Sequence, residues 1–351
     1  MSAFAHQPTL TTVNVRRSRP CQIVQMQIFD LTPHHALGGH IAHAAGYPLA
    51  TLEARDFMGG EHKLRPLVSV RGEDVYIIAA LAASEGHSVN DHLVRMLFFI
   101  AACRDHGAAR VTAVAPWLPY ARKDRVTKAR DPVSSRYVAQ LFEAVGTDAL
   151  VTVDVHNLAA FQNGFRCRTI NLDTVRLFST AVADHAGDAP VAILSPDLGG
   201  VKRAELLRQT VETVRNKPAG FAVVEKYRSE GLIGGSLFAG EVADHDVWIV
   251  DDMIESGTTM LRAAEVCRLR NARSIHLLAT HAFYNSAVLK RLLDPAVASL
   301  TVTDTAEPAA PPAEEPKFRR LGVAPMVGQC LARMHSGRPI SPVLDPTGPS
   351  R

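Results

Sequence analysis

Short apolar runs and amphipathic stretches alternate along most of the chain. Apolar runs of strand length lie at 24–29, 75–80, 111–115, 149–153, 191–195, 221–225, 247–250, 275–279 and 299–303. Apolar residues recur at helical spacing over 36–46, 89–105, 133–145, 174–184, 201–209, 259–271 and 325–336. In 259–271, Leu261, Ala264, Val266 and Leu269 interleave with Arg262, Glu265 and Arg268, the pattern of a helix with one buried face. Repeated strand–helix alternation predicts an α/β protein built on mainly parallel sheets flanked by helices. The two halves share a strand–turn–helix rhythm, which predicts two similar domains, 26–170 and 171–351. Such sheets bind ligands beyond the carboxyl ends of their strands. The residues just after each strand therefore carry the most information.

Two segments break the rhythm. Residues 227–240, YRSEGLIGGSLFAG, are glycine-rich without a clear period, and 306–317, AEPAAPPAEEPK, are rich in Pro, Ala and Glu. Both are expected to be flexible connections. Residues 1–25 are expected to be a disordered extension. They contain no acid and carry Arg16, Arg17 and Arg19, a composition also found in transit peptides; Met26, at the first strand, offers an alternative start.

Composition narrows the picture only a little. A chain of 351 residues suits two domains. At 47% hydrophobic and 21% charged it is ordinary for a globular protein. The net charge of +3 gives no case for a nucleic-acid or membrane partner. No apolar run reaches membrane-spanning length. The cysteines at 21, 103, 167, 267 and 330 are scattered, a spacing that suits a reducing compartment better than a disulfide framework or a zinc site. A cytoplasmic location is the resulting expectation.

The most informative stretch is Val247–Met260, VWIVDDMIESGTTM. Asp251 and Asp252 follow a buried strand; Glu255, Ser256, Gly257, Thr258 and Thr259 then lead into a helix. Free N–H groups and the helix dipole at such an entry suit a phosphate. Gly257 allows a tight turn, and three hydroxyls add donors. Two carboxylates would repel a bare phosphate. They make sense if the ligand also carries hydroxyls or a metal ion, which points to a phosphorylated ribose. Simple helix capping by Ser256 or Thr258 is the bland alternative.

This stretch resembles the phosphoribosyl diphosphate (PRPP) motif of the phosphoribosyltransferase fold. Further segments resemble ribose-phosphate pyrophosphokinases, in the same order, over roughly 26–340. Phe57-Met-Gly59-Gly60-Glu61 resembles that family's F-x-D-G-E, and 116–125, PWLPYARKDR, its P-Y-x-x-Y-A-R-Q-D-R. Asp154-Val-His156 resembles D-L-H. Ser195-Pro-Asp197-Leu-Gly-Gly-Val-Lys-Arg203 resembles S-P-D-x-G-G-x-x-R. Glu225-Lys226-Tyr227-Arg228 resembles D-K-R-R at the base of a mobile catalytic loop.

The resemblance implies two phosphoribosyltransferase-like domains, with ATP on the N-terminal side and ribose 5-phosphate on the C-terminal side. It implies transfer of the diphosphoryl group of ATP to the 1-hydroxyl, giving PRPP and AMP. It places Phe57, Gly59, Gly60, Glu61, Arg122 and Lys123 at ATP. Asp251, Asp252, Glu255, Ser256, Gly257, Thr258, Thr259 and Arg228 fall at ribose 5-phosphate. Lys226 and Arg228 are the implied catalytic pair, and His156 and Asp197 the implied ligands of magnesium. A homo-oligomer is also implied.

The chain departs from the family at Gly59, usually Asp, at Lys123, usually Gln, and at Thr258, commonly Gly. The segment after His156 is about two residues longer. Two other readings compete: a non-catalytic partner of a true synthetase, and a phosphoribosyltransferase that consumes PRPP. The segments at 57–61 and 122–125 argue against the latter.

Overall fold

The computed structural model describes residues 24–32, 35–226, 236–306 and 315–345. Its first half runs β1 (Met26–Asp30), α1 (Leu37–Ala45), β2 (Leu52–Asp56), β3 (His62–Pro66), β4 (Asp74–Ile78), α2 (Val89–Asp105), β5 (Arg110–Val114), α3 (Ser134–Ala144), β6 (Ala149–Val153), α4 (Leu158–Gly164) and β7 (Arg168–Leu172). Five of these strands form one parallel sheet in the order β1-β4-β5-β6-β7. β4 and β6 are buried at every position, as expected of strands covered on both faces. α2 starts on a capping box in which Ser88 and Asp91 satisfy each other's backbone N–H.

The second half runs α5 (Val175–Ala186), β8 (Val191–Ser195), α6 (Val201–Arg215), β9 (Gly220–Lys226), β10 (Ser236–Gly240), β11 (Asp246–Ile254), α7 (Thr258–Arg268), β12 (Ser274–Ala282), α8 (Ser286–Leu292), β13 (Ser299–Thr303), β14 (Phe318–Leu321), α9 (Ala324–His335) and α10 (Ser341–Leu344). The sheet order is β10-β9-β8-β11-β12-β13-β14, parallel except for β10 against β9. From β8 the chain steps to β9 on one side, and β11 then returns to its other side. This reversal opens a crevice between the carboxyl ends of β8 and β11, the usual ligand position in such sheets.

Each sheet is covered on both faces, as the β–α alternation predicts. One face of the first sheet packs Met96, Phe99, Ile100 and Phe142 from α2 and α3. The other packs Ile41 from α1 together with Val327, Cys330 and Leu331 from α9. The last long helix thus crosses back onto the first sheet. α1 and α9 touch closely at Gly328, where a Cβ would lie 2.7 Å from Ala44 Cβ and from the Ile41 carbonyl oxygen. His335 Nδ1 at the end of α9 sits 2.8 Å from Asp74 Oδ2. Cys103, Cys167, Cys267 and Cys330 are free thiols. Among the described residues no helix is long and apolar enough to cross a membrane.

Several elements differ from the sequence expectation. The strand expected to end at 250 continues to Ile254, because Asp251, Met253 and Ile254 pair with Ala279, His281 and Ala282 of β12. The connection expected over 227–240 contains β10, paired with β9; residues 227–235 lie outside the described residues, as do 307–314 of the expected loop at 306–317. The expected extension 1–25 falls outside as well, except for its last two residues.

Candidate active site at the junction of the two sheets

The carboxyl ends of β6, β8 and β11 meet at one junction. β6 delivers Asp154 and His156, the loop after β8 delivers Asp197, and the end of β11 delivers Asp251 and Asp252. Asp252 is 3% exposed, and its Oδ2 lies 2.8 Å from His156 Nδ1. Burial opposes the charge of Asp252, but the hydrogen bond from His156 and the Arg203 guanidinium outweigh it and hold its carboxyl well below the usual range. The hydrogen bond to Asp252 in turn raises His156 above the ordinary imidazole value. Asp251 lies beside this pair and has the opposite fate. Burial, and then the charge of Asp252, push its carboxyl well above the ordinary range. Neighbouring buried acids split in this way because the charge of one disfavours the charge of the other.

Arg203 on α6 closes the cluster. Its Nε donates to both carboxylate oxygens of Asp154, each at 3.2 Å, and its Nη1 is 4.0 Å from Asp252 Oδ1. Thr280 Oγ1 donates to Asp154 Oδ2 at 2.6 Å and meets Thr174 Oγ1 at 2.8 Å. Asp154 has φ +43°, a left-handed conformation that Asp tolerates better than most residues.

The loop from Glu255 to Thr259 has the form expected of a helix entry. Gly257 has φ +70° and opens α7; a Cβ there would lie 2.8 Å from Leu292 Cδ2. Ser256 and Thr258 are exposed, and their hydroxyls are 3.1 Å apart. Thr259 follows in the first turn of the helix, whose unpaired N–H groups face the loop. Arg122, from the first half of the chain, donates to Glu255 Oε2 at 2.7 Å. Trp117 packs at a tilted angle against Phe283 across the same junction, ring centroids 4.6 Å apart.

Other predicted residues are placed apart or engaged elsewhere. Lys123 Nζ pairs with Asp131 Oδ2 at 2.9 Å, and Asp131 also takes Thr127 Oγ1 and the Lys128 N–H. Lys123 therefore braces the 123–131 loop. Phe57–Glu61 form the tip of the β2–β3 hairpin, closed by a 2.9 Å bond from the Phe57 N–H to the Glu61 carbonyl. Among the described residues no hydrogen bond, ion pair or ring contact joins this tip to Arg122 or to 251–259. A Cβ at Gly59 would meet nothing within 4 Å, so packing does not demand glycine there. Lys226 closes β9, with its side chain outside the described residues, and Arg228 lies wholly outside them.

The two expected magnesium ligands, Asp197 and His156, both follow the carboxyl ends of their strands. Asp197 is exposed, and its Oδ1 accepts the Gly200 N–H at 3.0 Å. His156 is held at Nδ1 by Asp252. A ligating histidine is normally oriented through its other ring nitrogen by a carboxylate, so this donor set fits a metal with few protein ligands. No group of three His, Cys, Asp or Glu that could hold a metal occurs among the described residues. Arg203, Asp154 and Thr280 were not among the predicted site residues, although Arg203 and Asp154 stand inside two of the quoted motifs.

Comparison with known proteins agrees along the chain. Residues 26–146 match the N-terminal domain of ribose phosphate pyrophosphokinase, and residues 170–309 match the phosphoribosyl transferase domain. The ribose-phosphate pyrophosphokinase of Maricaulis maris is 32% identical over 321 residues, 91% of this chain and 100% of that one. The Brucella melitensis protein of the same name is 30% identical with the same coverage. The crystal structure of phosphoribosylpyrophosphate synthetase from Mycobacterium smegmatis superposes with a TM-score of 0.80 at 27% identity, covering 89% of this chain and 99% of that chain.

Proposed function

The chain belongs to the ribose-phosphate pyrophosphokinase family, and from that premise we propose how its junction transfers the diphosphoryl group of ATP to the 1-hydroxyl of ribose 5-phosphate. The observation that carries the reading is the meeting of β6, β8 and β11 at one point. His156, Asp197, Asp251 and the Ser256–Thr259 loop all follow these carboxyl ends, which supports their acting on one substrate.

The 5-phosphate sits on the N–H groups and hydroxyls of Ser256, Gly257, Thr258 and Thr259. Asp251, with Asp252 behind it, faces the ribose hydroxyls, which its carboxyl can hold by hydrogen bonds. Glu255 and Arg122 pair at the edge of the loop, and ATP phosphates entering there would draw Arg122 from Glu255, since Arg suits phosphate oxygens well. His156 and Asp197 are the residues that would hold magnesium, which when bound neutralises the charge on the transferring phosphates. Phe57, Gly59, Gly60, Glu61 and Lys123 complete the nucleotide side in this reading, and a homo-oligomer is its assembled form.

Lys226 is the proposed catalytic lysine, with Arg228 beside it. In the backbone register Ser195 pairs with Val223, so Lys226 lies three residues, about 10 Å, further along the carboxyl edge. That is the edge from which Asp197 and Asp251 project. A lysine cation arriving there would stabilise charge developing on the transferred group.

Purified protein incubated with ATP, magnesium and ribose 5-phosphate should form AMP and PRPP in equal amounts. Absence of AMP from folded protein in this mixture would sink the proposal.

A further inference from the structure

We propose that Arg203 is a positioning residue for this reaction: by holding Asp154 of one half and Asp252 of the other, it fixes the register of the two sheets across the active site. The inference rests on the reading above for its kinetic consequence but not for its structural one.

Asp154 directly follows β6 of the first sheet, whereas Arg203 lies on α6 and Thr280 on β12 of the second half. Asp154 receives Arg203 Nε on both oxygens at 3.2 Å and Thr280 Oγ1 at 2.6 Å. It is 7% exposed, so its negative charge has little water to rely on. Arg203 also faces Asp252, at 4.0 Å. Burial works against the guanidinium charge, but Asp154 and then Asp252 outweigh it and raise the group above its ordinary value. One planar cation therefore spans two buried carboxylates from different halves of the molecule.

The consequence reaches the reacting groups through the backbone. Asp154 is two residues before His156, so its placement sets where that ring meets Asp252. Val153 N–H holds the Pro116 carbonyl at 3.0 Å, and Pro116 precedes Trp117, which packs on Phe283. Phe283 lies three residues after Thr280, and its N–H bonds the Ile254 carbonyl at 2.8 Å. The same seam continues to Arg122 and Glu255. If Arg203 loses its hold, the nucleotide-side segment 117–125 and the ribose loop shift relative to each other. The contacts within the ribose loop, all local to β11 and α7, stay intact.

Trp117 reports this seam without any substrate. The other tryptophan, Trp248, is 2% exposed and remains shielded from a soluble quencher while the fold is intact. Arg203→Ala, Arg203→Lys, Asp154→Asn and Thr280→Val are compared with the natural protein by acrylamide quenching, circular dichroism and steady-state kinetics. Arg203→Ala and Asp154→Asn should make Trp117 more quenchable in the apo protein while leaving the dichroism spectrum unchanged. They should lower kcat about 10- to 100-fold while the KM for ribose 5-phosphate stays within about 2-fold. Arg203→Lys should recover only part of kcat, because a single ammonium cannot reproduce the planar fork. Thr280→Val should move both readouts slightly in the same direction.

Unchanged Trp117 quenching in folded Arg203→Ala or Asp154→Asn protein would overturn the proposal. So would a rise in the ribose 5-phosphate KM with kcat retained, which would mark Arg203 as a ligand contact. If Arg203→Ala does not fold, Arg203→Lys and Asp154→Asn decide the matter by the same readouts. A natural protein that forms no AMP would refute the assigned reaction, while the quenching comparison would still decide the role of Arg203.

Discussion

His156 Nδ1 lies 2.8 Å from Asp252 Oδ2, so a ring carried by one sheet is aimed by a carboxylate carried by the other. The pair leaves Nε2 of the ring for an incoming ligand. It also occupies one oxygen of Asp252, which leaves Asp251 as the more open acid toward the ribose hydroxyls. Replacing Asp252 with Asn removes the charge but keeps the shape. We expect Asp252→Asn to lower kcat by about 100-fold or more, the loss typical of an orienting carboxylate behind an essential group. Initial rates of AMP formation check this, and near-normal turnover would show that the pair is structural only.

Lys226 stands at the end of β9 on the carboxyl edge of the sheet. Lys226→Ala should lower kcat by orders of magnitude, with only modest change in the KM values, since its cation serves charge that develops during transfer. Steady-state kinetics with each substrate varied decides it. Turnover close to that of the natural protein would remove Lys226 from the catalytic assignment.

Gly257 is required twice over. Its φ of +70° disfavours any side chain, and a Cβ would press on Leu292 Cδ2 at 2.8 Å. Gly257→Ala should destabilise the protein by about 1–3 kcal/mol. It should also raise the KM for ribose 5-phosphate more than that for ATP, because it distorts the loop assigned to the 5-phosphate. Denaturant unfolding and the two KM values test both parts.

Asp173 sits between the two halves, just before α5, with its Oδ1 accepting the Val175 N–H at 3.2 Å. Burial pushes its carboxyl up to about 6, from an ordinary value of 3.8. A raised acid binds its proton more tightly in the folded state. Its contribution to stability is therefore full below about pH 4 and is lost as pH rises through about 6. Asp173→Asn removes that loss, so the variant should gain stability relative to the natural protein on going from pH 4 to pH 8, by about 1–3 kcal/mol. Urea unfolding at a series of pH values measures the difference; a constant offset at all pH values would contradict it.

Strands of the parallel sheets were legible because both faces are covered. β4, β6 and β8 read as mainly apolar runs, and β6 and β8 have the predicted limits. The hairpin of β2 and β3 was not legible, since LEARD and HKLRP are largely exposed. Glu53 there pairs with Lys63 and Arg65 rather than burying apolar surface. β11 was cut short because Asp251 and Asp252 end its apolar run, whereas ladder bonds to β12 carry the strand onward. The ribose loop was readable because its function depends on consecutive residues. The Arg203–Asp154 contact joins positions 49 residues apart. Nothing in the local spacing of either motif shows which carboxylates one guanidinium will join, so both residues went without a role.

Diphosphoryl transfer separates this reaction from ordinary phosphoryl transfer, and the position of cleavage in ATP tests it most directly. The protein is given magnesium, ribose 5-phosphate and ATP labelled with radioactive phosphorus at either the β or the γ position, and the products are separated. The account predicts that both labels appear together in the ribose product, at equal specific activity, with unlabelled AMP as the other product. Label from the γ position alone in the sugar, with ADP released, would contradict it.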